Sequence, residues 1–451
     1  VPETAADQLM KVFAVIDGTE TMAHAYRRVL VDPARAAASA VDRGHAGGAL
    51  AGWPFAVKEV FDVAQVPISG GSRAFSDRVA ERDAAVVRRL RGAGAVLVGT
   101  QISHELTCGT DEPPTRNPWD LGAYPGGSSA GAGVSVALGS ARFALGTDAA
   151  GSVRIPAAMT GTTGFKPTAG RVSAAGVFRQ ATAPSIDTVG IVARDVVELH
   201  RVLAVIEGAD ADDPRTLWAQ FAPLGTLAGV NPRGLTLAVL GPHTLAALGA
   251  IHPVQPCIET AFATVLETYR QAGARVEMVE IPEMAGAVGA VVTLFSAELA
   301  TAHRDCLPRL KGRYFPRIAE MLQSSLDPEP EKLAQAVAVR SALRRAVDHA
   351  LGSAGAAALI TPTTPRVAMK LADFDPVQEL GTLIPFTCPF NLTGHPALSL
   401  PSGFSADGLP IGHQIVGRIG DDQGVLEIGA LFQASSDWHS RKPFLAARSG
   451  Q

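Results

Sequence analysis

Apolar runs of strand length alternate with stretches of helical period along nearly all of this chain, and that alternation constrains its fold more than any other feature. Residues 83–90 read as a helix, with Asp83 to cap it and Gly92 and Gly94 to end it. Residues 95–99 read as the strand that follows. The same order returns at 130–138 and 141–145, and again at 254–272 and 275–281. Further helices are expected at 285–307, 331–351 and 424–435, and further strands at 235–240, 357–360, 397–400 and 412–416. No linker, internal repeat or low-complexity tail breaks the pattern. The expectation is one large α/β domain over residues 1–451.

At the N-terminal end, Leu9, Val12, Phe13, Val15 and Ile16, then Ala23, Tyr26 and Leu30, keep helical spacing. Thr19-Glu20-Thr21 is read as a cap between two helices, and 34–43 as a further helix ended by Gly44, so that helices fill about 5–48. Residues 53–63 read as a buried strand interrupted by charge. Residues 117–127 are rich in Pro and Gly and form a loop, and 161–173 are read as irregular. Residues 207–233 mix Gly, Asp and Pro with Trp218, Phe221 and Leu224, and are read either as a mobile lid or as a plain surface connection.

Composition excludes several classes of function. With 47% hydrophobic residues, the chain is rich enough to bury a large core. The 39 basic and 43 acidic residues leave no positive excess for nucleic acid or anionic lipid. Cys108, Cys257, Cys306 and Cys388 lie far apart, which argues against a zinc site or a disulfide framework. No basic segment followed by an apolar stretch opens the sequence, and no run of about 18 apolar residues is apparent. The reading is a soluble cytoplasmic protein without metal or cofactor, a monomer or homodimer acting on a small molecule.

The chemistry is concentrated in Pro125-Gly126-Gly127-Ser128-Ser129-Ala130-Gly131 and in Gly146-Thr147-Asp148-Ala149-Ala150-Gly151-Ser152-Val153-Arg154-Ile155-Pro156-Ala157. Acyl transfer needs a nucleophilic oxygen, an acceptor for its proton, and N–H donors aimed at the developing oxyanion. Ser152 follows three small residues whose backbone can approach a substrate oxygen. No histidine falls beside either serine-rich loop, the nearest being His104. A lysine can replace it where burial disfavours the ammonium, and Lys58 stands between the apolar residues Phe55-Ala56-Val57 and Val60-Phe61. Taken alone, Lys58 reads better as a strand-edge lysine paired with Glu59 or Asp62, and the Gly-Ser turn as a simple cap.

Two competing motifs fail. Residues 127–131 match the GxSxG nucleophile elbow with Ser129 as nucleophile, but the prolines and glycine before them preclude the strand that motif needs. The glycines also suggest a phosphate loop, but no Gly-Lys-Ser/Thr follows.

These segments resemble the amidase signature. The two serines stand 24 positions apart and Lys58 lies 70 before Ser128, as in that family. Further segments agree: 83–100, Gly164-Phe165-Lys166-Pro167-Thr168, Gly170-Arg171-Val172-Ser173, Asn391-Leu392-Thr393-Gly394-His395-Pro396-Ala397 and Gly408-Leu409-Pro410-Ile411-Gly412-His413-Gln414. The resemblance implies a central mixed, twisted β-sheet surrounded by α-helices, with its signature core at about 52–200 and the rest of the sheet and helices at about 234–451. It implies a Ser-Ser-Lys triad: Ser152 the acylated nucleophile, Ser128 a bridging serine after a cis bond from Gly127, and Lys58 the neutral base. Ala149, Ala150, Gly151 and Ser152 would supply oxyanion donors, with Gly127, Ser129, Asp148 and Arg154 in support.

Departures from the family pattern carry meaning too. Ala150 replaces a usual glycine and keeps its N–H but demands an ordinary φ. Ala130 also replaces a glycine, harmlessly at a helix start. Ile155 stands where glutamine-dependent transamidosome subunits commonly carry Gln, which favours a free-standing amidase. The 103–112 stretch, with Cys108 and Gly109, and the 383–392 stretch, with Phe386, Cys388 and Phe390, are expected to wall an apolar pocket for neutral amides, anilides or carbamates, as in an aryl acylamidase or urethanase. The alternatives are a catalytically silent binding protein of the same fold and an amidotransferase A-type subunit.

Overall fold

The computed structural model describes residues 3–109, 111–218, 221–249, 253–375 and 381–448. Its strands are β1 (Tyr26–Val29), β2 (Pro54–Lys58), β3 (Val96–Gln101), β4 (Phe143–Asp148), β5 (Thr163–Lys166), β6 (Thr188–Ala193), β7 (Thr236–Leu240), β8 (Arg275–Val279), β9 (Ala358–Pro362), β10 (Ala397–Phe404) and β11 (Pro410–Gly417). They join in one sheet in the order β1-β3-β2-β4-β6-β5-β10-β11-β9-β7-β8. β2 runs parallel to β3 and β4, and β7 parallel to β8 and β9, while the middle of the sheet is antiparallel. The sheet is therefore mixed, and the single α/β domain expected from the alternation is present.

Every residue of β2, β3, β4 and β6 is buried. A strand covered on both faces has no polar side to show, which is why these segments read as continuous apolar runs rather than alternating ones. The helices α1 (Ala5–Ala23), α2 (Val31–Asp42), α3 (Ala85–Gly92), α4 (Ala130–Leu138), α5 (Arg154–Thr160) and α6 (Val196–Ile206) cover the N-terminal half. Helices Pro256–Ala272, Ala287–His303 and Pro330–Ser353 serve the other half.

Several sequence expectations need correction. Thr19-Glu20-Thr21 does not separate two helices: α1 continues to Ala23 and stops at His24, whose φ is 47°. The Glu20 carboxylate accepts the N–H groups of Ala25 and Tyr26 (3.1 and 2.8 Å), which turns the chain into edge strand β1. Asp83 does not cap α3. Its carboxylate accepts the Ala64 N–H (2.8 Å) and pairs with Arg91 (3.0 Å), and the helix starts after Ala84. Residues 163–166, read as irregular, are the central strand β5, paired with β6 and β10. The segment 282–303 matches a bilayer-crossing helix in length and composition alone, as core helices also do. Its C-terminal helix packs against helix Pro330–Ser353.

Helix α4 lies unusually close to the sheet because its small residues permit it. A Cβ on Gly131 would run into the carbonyl oxygen of Ala25 and stand 3.0 Å from that of Ile102. The Gly131 N–H donates to that Ile102 carbonyl (3.1 Å), so the helix cannot retreat without losing the bond. Gly131→Ala is expected to destabilise the fold by about 1–3 kcal/mol, because the backbone has no room to yield. Urea unfolding checks this, and an unchanged midpoint would show that the approach is not tight.

Candidate active site

β2 and β4 lie side by side, with Val57 paired to Leu145, so Lys58 ends its strand beside Gly146 and Thr147. The Lys58 side chain is fully buried. Its Nζ donates to Ser128 Oγ at 2.7 Å and to Thr147 Oγ1 at 3.2 Å. Burial pushes its ammonium down to about 8, against the opposing pull of Asp187, Asp148 and Glu59. Neither partner of the strand-edge alternative engages it. The Glu59 carboxylate takes Arg27 (3.1 Å), the Ser69 hydroxyl (3.0 Å) and the Ser103 N–H (3.2 Å). Asp62 pairs with Arg78 at 2.8 Å.

Ser128 enters from the loop before α4, after a cis Gly127–Ser128 peptide bond. The next residue ties this loop to the second serine segment. The Ser129 N–H donates to the Ser152 carbonyl (3.1 Å) and its hydroxyl to the Thr147 carbonyl (3.3 Å). A Cβ on Gly127 would overlap the buried His104 ring and stand 2.7 Å from the Tyr124 hydroxyl, so only glycine fits there. Burial, with Lys58 nearby, holds His104 down to about 3, so it stays neutral at working pH.

The turn from β4 to α5 is built on a fully buried ion pair. Arg154 donates from Nε to Asp148 Oδ2 (3.0 Å) and from Nη2 to Oδ1 (2.9 Å). The same carboxylate accepts the backbone N–H groups of Gly151 (2.8 Å), Val153 (3.2 Å) and Arg154 (3.3 Å). Arg154 also reaches the Thr387 carbonyl (3.0 Å), Asn391 Oδ1 (2.6 Å) and Gln414 Oε1 (3.0 Å). Burial would raise the Asp148 carboxyl, but the guanidinium and the Asn391 amide outweigh it and the net shift is downward. Gly151 therefore does not offer its N–H to a substrate, because Asp148 holds it. Ala149, Ala150 and Ser152 keep theirs uncommitted among the described residues. The Thr387 hydroxyl fixes the Ala150 carbonyl at 2.6 Å.

A cavity of about 710 Å³ opens over these residues. Ser128, Ser152, Ala149 and Ala150 line it together with Gly127. Cys108 and Gly109 line it as expected from their position. Phe386 and Cys388 do not. Both are buried, Phe386 against a separate apolar cavity with Leu240 and Ile360. Leu383 and Ile384, from the same 383–392 stretch, form that wall, because Thr387 turns inward to meet Arg154 and Ala150. Val291, Phe295 and Met321 add apolar surface from helices whose period shows a buried face but not which cavity it meets. Arg317 and Asp375 carry opposite charges on the lining, 3.4 Å apart. None of the described residues of 207–233 lines this space. Arg215 in that segment donates to the Pro184 carbonyl (2.7 Å), and Arg171 binds Glu207 (2.6 Å). Among the described residues no cluster of three His, Cys, Asp or Glu side chains is arranged to hold a metal.

The family model for amidases matches residues 9–426. The chain belongs to the amidase family. This amidase is 33% identical over 474 residues to the A-type subunit of glutamyl-tRNA(Gln) amidotransferase from Roseiflexus sp. (strain RS-1), covering 98% of this chain and 95% of that one. It is 36% identical over 453 residues to the protein of the same name from Anaeromyxobacter dehalogenans (strain 2CP-C), covering 91% and 88%. It is similar in structure to 6-aminohexanoate cyclic dimer hydrolase complexed with substrate, with a TM-score of 0.87 and 27% identity over 98% of this chain and 96% of that one.

Removing one half of the buried pair tests the site's architecture. In this amidase Arg154→Met leaves Asp148 charged and unpaired, and is expected to cost about 3–5 kcal/mol. The double variant with Asp148→Asn is expected to recover part of that loss. Denaturant unfolding of the four proteins measures both, and additive losses would show that the two groups are not coupled.

Proposed function

We propose that this amidase hydrolyses neutral amide-type C–N bonds (anilides, alkyl amides or carbamates) through an acyl-enzyme on Ser152. The observation that carries the reading is the 2.7 Å contact between the buried Lys58 amine and Ser128, whose hydroxyl shares the cavity with Ser152. A fully desolvated lysine is a base at mildly alkaline pH, where an exposed one remains an ammonium.

The steps follow from that arrangement. Ser152 Oγ bonds to the substrate carbonyl carbon while its proton passes to Ser128, and the Ser128 proton passes to Lys58. The carbonyl electron pair moves onto oxygen, where the N–H groups of Ala149, Ala150 and Ser152 receive it. When the C–N bond breaks, Lys58 returns the proton through Ser128 to the leaving nitrogen. Water then attacks the acyl-serine by the same relay. Ser129, Asp148 and Arg154 shape the turn without reacting. The apolar side chains of Val291, Phe295, Met321, Leu383 and Ile384 favour an uncharged acyl or amine group, and the charged residues that share the lining are Arg317, Glu320 and Asp375.

A second reading is a glutamine-dependent amidotransferase of the A type, favoured by relatives that carry that name at 33% and 36% identity. It requires partner chains and glutamine as nitrogen donor. The apolar walls and Ile155 favour the free-standing hydrolase. The third alternative, a silent binding protein, is disfavoured by the presence of all three triad side chains.

Purified chain alone, assayed on a panel of anilides, alkyl amides, carbamates, esters and glutamine, separates these readings. Turnover of apolar amides or carbamates without a partner is expected, and activity confined to glutamine with partner chains would favour the amidotransferase. kcat/KM should rise with pH through about 8 as Lys58 loses its proton. Lys58→Ala is expected to lower kcat by about a thousandfold with the fold intact. A near-normal rate in that variant would refute the relay.

A further inference from the structure

The relay turns Lys58 into a buried ammonium, and a buried cation needs a counter-charge. The acidic groups whose charge acts on it differ in how far they are already committed. Asp148 is taken up by Arg154, Asn391 and three backbone N–H groups. Glu59 is taken up by Arg27, Ser69 and Ser103. Cys108 is held as a neutral thiol by burial, and His104 is neutral. Asp187 differs from all of these. Its Oδ2 accepts the Thr182 hydroxyl (2.9 Å), but its Oδ1 is buried and has no hydrogen-bond partner among the described residues.

The topology brings this residue to the site. β4 lies between β2 and β6, and Asp148 pairs with Thr188. Asp187 therefore follows the end of β4 on one side while Lys58 ends β2 on the other. Of the charged groups around Lys58, Asp187 attracts it most strongly, ahead of Asp148 and Glu59. Lys58 is likewise the cation that attracts Asp187 most, ahead of Arg215, while Asp148 repels it. Burial raises the Asp187 carboxyl, yet it remains ionised at the alkaline pH where Lys58 is neutral.

We propose that Asp187 is a positioning residue of the relay: its unpartnered carboxylate oxygen stabilises the ammonium that Lys58 becomes when it takes the Ser152 proton through Ser128. The oxygen forms no bond and gives up no proton. It supplies the charge that the cation needs until the proton returns to the leaving nitrogen. The proposal rests on the reading of Lys58 as the base. It also gives a reason for a buried carboxylate oxygen that has no hydrogen-bond partner among the described residues.

The test is the pH profile of Asp187→Asn on whichever amide or carbamate the wild type turns over. Without the anion the Lys58 ammonium is less stable, so the ascending limb of kcat/KM should move acid by about one pH unit. Plateau kcat should fall by about tenfold, since the cation formed in the step loses its counter-charge. Asp187→Glu should restore the position of the limb. If Asp187→Asn fails to fold, Asp187→Ser removes the same charge with less bulk and carries the same test. A folded neutral variant whose limb stays in place overturns the assignment. Ser152→Ala run in parallel separates the two failures: an active Ser152→Ala sinks the acyl-enzyme reading, whereas an inactive one with an unmoved Asp187→Asn limb sinks only the role of Asp187.

Discussion

The buried pair of Asp148 and Arg154 is the constraint on which the site is assembled. Neither group is exposed to solvent, and each is satisfied by partners drawn from separate parts of the chain. Asp148 gathers the backbone of the turn that follows β4, while Arg154 binds Thr387, Asn391 and Gln414 from the C-terminal part. Two desolvated charges are stable only when their geometry is nearly complete. The pair therefore demands that the C-terminal strands close against the signature segment before the turn holds its shape. It also explains why the Gly151 N–H donates inward to Asp148 while those of Ala149 and Ala150 are left without a partner among the described residues.

The second constraint is the depth of Lys58. A lysine at the end of a strand buried on every residue has lost its water, and its nearest contacts are two hydroxyls rather than a carboxylate. Loss of solvation favours the neutral amine, and the surrounding anions limit how far that preference goes. The outcome is an amine whose pKa is lowered by burial and which lies in contact with Ser128, as the proposed base would require. The adjoining cavity, lined by Ser128 and Ser152, carries Val291, Phe295, Met321, Leu383 and Ile384 on its walls.

How much of this was legible in the sequence depended on whether a feature is local. The alternation of elements, the run of α4 and the strands near 236–240 and 358–362 follow from periodicity, and the structure has them. Ser128 and Ser152 were readable because their segments are dense in small residues, whereas Lys58, in an apolar run, was assigned through the resemblance to the amidase signature; the structure brings Lys58 and Ser128 into contact. β5 was missed because four residues with a glycine have weak strand preference, and their partners come from β6 and β10. Thr387, Asn391 and Gln414 lie more than two hundred positions from the groups they hold, so no spacing rule reveals them. Phe386 and Cys388 were misplaced for the opposite reason. They are apolar and flank Thr387, but the inward turn of Thr387 leaves the wall to Leu383 and Ile384 of the same stretch. Asp187 carried no local signal, and only the order of strands β2, β4 and β6 brings it near Lys58.

The central claim is that Ser152 becomes acylated by a proton path through Ser128 to Lys58. Intact-mass and peptide-mapping spectrometry of the protein after reaction with a slowly hydrolysed activated carbamate tests it most directly. The account predicts one added acyl group on the peptide containing Ser152, formed faster as pH rises through about 8. An adduct on Ser128 or Ser129, or labelling of Ser152 that proceeds unchanged in Lys58→Ala, would contradict it.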